Sequence, residues 1–118
     1  MIGDVKNIFG DIPATLQTEL FQTLALAESI KIERIVSDGQ ATPLGEWYDQ
    51  TWDEWVILLS GSASLRFEGE IEELKLLPGD YLMIPNGRRH RVELTAPDQK
   101  SIWLAVHIYN SARKENIT

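Results

Sequence analysis

The sequence predicts an all-β fold, a sandwich or jelly-roll barrel, with a short N-terminal α-helix. Three observations carry this expectation. The stretch after Ser29 is a series of short strand-like runs, cut at Asp38-Gly39, Ser60-Gly61, Glu68-Gly69, Pro78-Gly79 and Pro85-Asn86-Gly87. Many short strands closely punctuated by turn residues are the pattern of such folds. Before that stretch, Leu16, Leu20 and Leu24 recur at four-residue steps with Phe21 beside them, and Pro13 stands where a first helical turn tolerates a missing N–H. Finally, the 118 residues contain no repeat, low-complexity tract or linker, so one domain is expected.

Taken in order, residues 1–28 form an arm and the helix, 29–110 the barrel and 111–118 a C-terminal tail. The run SIKIERIVS begins as an alternating strand and loses phase near Arg34-Ile35-Val36. If the phase of Ile30 and Ile32 continues, Arg34 points inward, where its guanidinium calls for a carboxylate such as Glu54 or a bound anion. Three strands follow between Glu54 and Asp80. In the middle one Ala63, Leu65 and Phe67 face inward while Ser64, Arg66 and Glu68 face out, and the acidic run from Glu68 to Glu73 is solvated turn surface.

Trp55–Leu59 and Ile102–Tyr109 are apolar on both faces. The barrel interior covers one face, so the other calls for the helix or a second subunit, and a homodimer is expected. Pro78 to Leu94 reads as strand, turn and strand. In its second strand His90, Val92 and Leu94 share the inward face, and Arg89, Arg91 and Glu93 point to solvent. His107 shares a face with Trp103, Ala105 and Tyr109.

Composition narrows the function classes. A net charge of −7 argues against general binding to nucleic acid or anionic membranes. The basic cluster Arg88-Arg89-His90-Arg91 reads as an anion site at the barrel mouth or as a solvated strand end, the latter preferred for Arg89 and Arg91. No apolar run approaches the roughly 20 residues that span a bilayer, and the N-terminus has no signal-peptide pattern. The absence of cysteine excludes disulfides and thiolate metal sites and makes the cytoplasm the expected location.

The stretch Gly79-DYLMI-Pro85-Asn86-Gly87-Arg88-Arg89-His90 resembles the second motif of the cupins, with Leu94 in place of its final asparagine. Glu54 and Gly61 match the end of the first motif, and the likeness runs from about Ile30 to Ile108. It is greatest to the small single-domain, RmlC-like cupins with a WYDQ segment before the glutamate. The resemblance implies a double-stranded β-helix (jelly-roll) barrel whose interior carries the site. It also implies a metal held by three histidines and a glutamate, but counting back from Glu54 to the family's His-x-His pair lands on Tyr48 and Gln50, or on Trp47 and Asp49. Gly45 is likewise not at the motif's distance.

Two functions are therefore weighed. The leading one is a barrel that binds a small polar or anionic molecule around Glu54 and His90, which could also act as general acid and base. Arg34, Trp47, Tyr48 and His107 are the further ligand-binding candidates, with Trp52 at the pocket mouth, and no cofactor is then required. The alternative is a metal-dependent oxygenase, isomerase or lyase holding Mn, Fe, Ni or Zn through Gln50, Glu54 and His90, with Asp49 or His107 as substitute ligands. A transcription-regulator sensor is disfavoured for want of a helix-turn-helix segment.

Overall fold

The structure is a computed structural model that describes residues 3–109. It contains eight antiparallel strands: β1 (Leu20–Leu26), β2 (Ile30–Ser37), β3 (Asp53–Ser60), β4 (Ala63–Phe67), β5 (Leu74–Leu76), β6 (Tyr81–Ile84), β7 (His90–Thr95) and β8 (Ser101–Ile108). Five form one sheet in the order β1-β2-β8-β3-β6, and three form a second in the order β5-β4-β7. Val56, Leu58, Ala63, Leu65, Leu76, Ile84, Trp103 and Ala105 fill the space between the sheets. Burial of these side chains, at roughly 1.5–3 kcal/mol for each large one, supplies the main driving force of the fold.

The expected N-terminal helix is not formed. Pro13 to Glu19 is irregular, and Leu20–Leu26 is β1, paired with β2 from Leu20↔Val36 to Leu26↔Lys31. The physical reason is arithmetic. A four-residue step is close to one helical turn, but it is also two strand repeats, so Leu20 and Leu24 share a side in either structure. The tight reversal in which Ala27 N–H donates to Ile30 O (2.8 Å) then brings β1 back along β2. The tail expected over 111–118 lies outside the described residues.

Two phase expectations are also corrected. Glu33 and Ile35 on β2 face the interior, so Arg34 points the other way. On β7 the register jumps between Ser64↔Leu94 and Leu65↔Val92, which leaves Glu93 as the extra residue of a bulge. A bulge shifts every later side chain to the opposite face. Leu94 is accordingly 57% exposed while His90 and Val92 remain inside.

The apolar outer faces of β3 and β8 are real, but no helix covers them. Ile32, Val106, Trp55 and Met83 lie in register across four strands, with Leu104, Ile57 and Tyr81 in the next row. Tyr81 and Met83 are exposed. Among the described residues no helix is long and apolar enough to cross a membrane.

Candidate functional site

A cavity of about 140 Å³ lies between the sheets. Phe21, Ile35, Val56, Leu65, Ile84, Val92 and Trp103 give it apolar walls, and Glu19, Glu33, Tyr48, Gln50, Glu54, His90 and His107 are its polar groups. Tyr48 and Phe21 stand partly in solvent at its edge. It is smaller than the roughly 300–1,000 Å³ of sites that take drug-sized ligands, so its occupant is a molecule of few heavy atoms.

Strand register places the polar groups. Lys31, His107, Glu54 and Ile84 are successive cross-strand neighbours along one row of the inner face, and Glu33, Ala105 and Val56 form the next. From the opposite side His90 enters at the start of β7, where the WYDQ segment adds to the sheet edge. Tyr48 N–H donates to His90 O (2.7 Å) and His90 N–H to Tyr48 O (3.1 Å). Gly87 N–H donates to Gln50 O (2.8 Å), which ties the turn before His90 to the same segment. Gly87 (φ +82°) and Gly79 (φ +96°) are the motif glycines that make these turns.

Each cavity carboxylate is held by one neutral donor. Gln50 Nε2 donates to Glu54 Oε1 at 3.1 Å. Trp103 Nε1 donates to Ser37 Oγ at 3.3 Å, and the Ser37 hydroxyl donates to Glu19 Oε2. Trp52 Nε1 donates to His107 Nδ1 at 2.9 Å, and His107 Nε2 lies 3.0 Å from Glu33 Oε1. An indole N–H can only donate, so His107 Nδ1 must accept and its proton sits on Nε2, pointing at Glu33. That hydrogen-bonded chain is compatible with neutral His107 only.

His90 is fixed in the same way. Its Nδ1 lies 3.2 Å from Arg88 O, a carbonyl that can only accept, so Nδ1 carries the proton. The ring stacks on Tyr48 (centroids 5.4 Å, 24° between planes), and Phe67 stands tilted at 6.3 Å. Glu54 and His90 are 7% and 5% exposed. Among the described residues no side chain or backbone donor reaches Glu54 Oε2, and nothing bonds His90 Nε2. The site is electronegative. Burial, then the Glu19, Glu54, Glu33 and Glu46 carboxylates, push the Tyr48 phenol above its ordinary value. Burial also pushes Glu19 up, against the lowering effect of its bond from Ser37.

Of the residues singled out in the sequence, Tyr48, Gln50, Glu54, His90 and His107 meet at this cavity. Three others lie elsewhere. Arg34 is buried on the opposite face of β2, where it donates to Gln22 Oε1 and to the carbonyls of Ile8, Gly10 and Asp11, and so clamps the N-terminal arm. Trp47 packs outside β4 and β7 beneath Arg66 (5.1 Å) and Arg91 (5.8 Å). Asp49 is exposed beside Arg89. Arg91 is not solvated but 4% exposed, donating to Thr42 O, Pro43 O, Glu46 O and Glu93. No Lys or Arg lines the cavity.

Sequence reasoning missed Glu19 and Glu33. The inward face of β2 reads Lys31, Glu33, Ile35, which alternation alone assigns to solvent; the zero exposure of the neighbouring Val36 and Ser37 shows that both faces are covered there. A metal would need three or four converging N and O ligands. Among the described residues no three His, Asp or Glu side chains are grouped to provide them. Glu33 and His107 are spent on each other, and Gln50 turns its amide N–H, not its carbonyl, toward Glu54.

No protein-family model matches the chain, and neither does any curated protein. Solved structures do. The chain is similar to a "putative mannose-6-phosphate isomerase" from Ralstonia eutropha JMP134, at 45% identity and a TM-score of 0.86 over 89% of this chain and 97% of that one. It is also similar to a cupin superfamily protein from Desulfitobacterium hafniense DCB-2 (21% identity, TM-score 0.67, 82% and 83% covered). An RmlC-like cupin family protein with a double-stranded β-helix fold from Methanocaldococcus jannaschii matches at 16% identity and a TM-score of 0.68, over 98% of both chains. At those two lower identities the likeness concerns the fold alone. The two sheets, the Gly79-to-His90 turn and strand, and these similarities agree: the chain has the double-stranded β-helix fold of the cupins.

Proposed function

We propose that this protein binds a small polar molecule inside the barrel, centred on Glu54 and His90. One observation carries the reading. Two side chains more than nine-tenths buried each have one polar atom held by the protein and a second atom without a partner, on the walls of one cavity. Both atoms open onto the cavity, where a ligand exchanges their hydrogen bonds to solvent for bonds of its own, at a net gain of about 0.5–1.5 kcal/mol each. Glu54 and His90 are also the candidates for general base and acid, should the occupant be turned over.

The printed name of the Ralstonia relative suggests a phosphorylated sugar. No Lys or Arg side chain lines the cavity to meet a phosphate: Arg34 and Arg91 are committed to backbone carbonyls outside it, and Lys31 lies against Glu33. Our reading is therefore of a binding module without a resident metal, the donor set described above being too sparse for one. The apolar outer rows of the five-stranded sheet support a homodimer, two copies of a −7 chain meeting through the rows of Trp55, Ile57, Leu104 and Val106.

Thermal unfolding of the wild type, Glu54→Gln and His90→Ala against a panel of small neutral, cationic and anionic compounds tests the site. A ligand at 100 times its Kd stabilises by about 2.7 kcal/mol, which is on the order of 10 °C in a chain of this size. That shift should vanish in both variants. A panel with no such compound would remove the reading, and stoichiometric Fe, Mn, Ni or Zn lost in both variants would replace it with a metal site. Sedimentation showing a monomer at micromolar concentration would remove the dimer.

A further inference from the structure

We propose that the cavity selects a small organic cation, a compound carrying a primary or secondary ammonium group, over neutral and anionic molecules of the same size. The inference rests on the binding reading above and goes further by giving the ligand's charge and its hydrogen-bonding character.

The two unpartnered atoms fix the character. Glu54 Oε2 is a carboxylate oxygen and accepts. His90 Nδ1 gives its proton to Arg88 O, so in the neutral ring Nε2 is a second acceptor, and in the charged ring it is a donor. A ligand that satisfies Oε2 and the neutral ring must bring donors. A carboxylate or phosphate brings none, and would set its own lone pairs against those of the site. An ammonium group brings two or three donors on one atom, and a hydroxyl brings one.

The surrounding charges separate ammonium from hydroxyl. Glu19, Glu33 and Glu54 face the cavity, and each receives a hydrogen bond from a neutral donor, although for Glu19 burial outweighs the bond and raises its carboxyl. His107 cannot balance them, since Trp52 occupies its Nδ1 as a donor. Lys31 Nζ, 3.5 Å from Glu33 Oε2, is the cation that approaches one of these carboxylates, and it offsets one of three. Glu54 is left with Gln50 as its sole partner. Ile35, Val56, Leu65, Ile84 and Val92 give the apolar part of such a ligand walls suited to it.

Propylamine, propanol and propionate are a matched set of probes, alike in chain length and different in charge. The indole N–H signals of Trp52 and Trp103 in ¹⁵N-labelled protein report directly on the two hydrogen-bonded chains. Propylammonium at neutral pH should shift both signals in a saturable way, with a Kd at least tenfold below that of propanol, and propionate should shift neither. Glu54→Gln should weaken propylammonium by tenfold or more, and propanol by a smaller factor. Glu19→Gln, which keeps a side chain able to accept from Ser37, should weaken it by a smaller factor and guards against a folding defect in the first variant. Propionate or propanol binding as tightly as propylammonium would overturn the charge selectivity while leaving the binding site standing. Silence from all three probes, with an anionic or neutral hit from the wider panel, would overturn the selectivity also; silence from both sets would end both readings.

Discussion

Gly61→Ala should unfold this protein far more readily than the same change at other turn glycines. Gly61 closes the β3–β4 turn with φ +84°, where an L side chain costs roughly 1–2 kcal/mol. A Cβ there would lie 2.3 Å from Ser101 Oγ, 2.6 Å from Ser101 Cα and 2.7 Å from Lys100 O. Two of those atoms are backbone, so relief requires the start of β8 to move. Ser101 is fully buried and bonds both Ser62 N–H (3.2 Å) and Ser62 O (3.0 Å), and moving it forfeits these contacts too. Overpacking of this kind costs about 1–3 kcal/mol, and the two hydrogen bonds about 1 kcal/mol each. Against them stands a gain of about 0.4–1 kcal/mol from a stiffer unfolded chain. The net loss is about 3–6.5 kcal/mol, a large part of the roughly 5–15 kcal/mol available to a domain. Gly69 is the control: its φ is +90° and no atom lies within 4 Å of an added Cβ. Gly69→Ala should cost no more than about 1 kcal/mol. Urea denaturation of the two variants side by side isolates the close approach from the backbone strain. Equal midpoints would refute the claim that Gly61 is fixed by contact with β8.

Glu93 should give the stability curve an acid limb. Its bonds from Arg66 first, and also from Arg91, hold its carboxyl below the ordinary 4.5. A depressed folded value means stability that is present above that ordinary value and lost as pH falls through the folded one; Glu93→Gln should flatten denaturation midpoints measured from neutral pH down to strongly acid. Glu19 has the opposite sign, since burial raises it, so Glu19→Gln should stabilise at neutral pH and lose that advantage as pH falls through the raised folded value to about 4.5. Arg91→Met should cost about 3 kcal/mol, since it removes the charged donor of hydrogen bonds to the Thr42, Pro43 and Glu46 carbonyls. It should also speed amide exchange across residues 42–46, where the guanidinium holds the carbonyls of Thr42, Pro43 and Glu46.

Much of the architecture was legible because turn residues mark it: β2 to β8 fall between the Gly and Pro signals, and His90 was placed inside from alternation alone. The failures have one cause. Period-two reasoning takes polar as outside, and that holds only where the inside is dry. At a polar cavity the rule inverts. Glu33 was passed over and Arg34 turned inward, although Arg34 is buried for a reason no pattern displays, the return of residues 8–11 across it. The bulge at Glu93 was equally silent, because one inserted residue leaves no mark in composition.

Tyr48 and Gln50 suggest how the family's frame has been put to a different use. They occupy the positions where the resemblance leads one to expect two histidines, and the backbone there is held as a metal site would need: Tyr48 is bridged to His90, and Gln50 O receives Gly87 N–H. What differs is the side chains, with the Tyr48 ring covering His90 and the Gln50 amide donating to Glu54. If the frame is intact, Tyr48→His combined with Gln50→His should create a set of three imidazoles and one carboxylate, enough for a divalent ion. Calorimetric titration with Ni or Zn should then show one site at micromolar Kd or tighter, lost again when His90→Ala is added. Zn binding by the double variant that survives His90→Ala, or no binding by a folded double variant, would refute the correspondence of Tyr48 and Gln50 with the family's histidine pair. Success would show that the scaffold can carry either chemistry, with two side chains deciding between them.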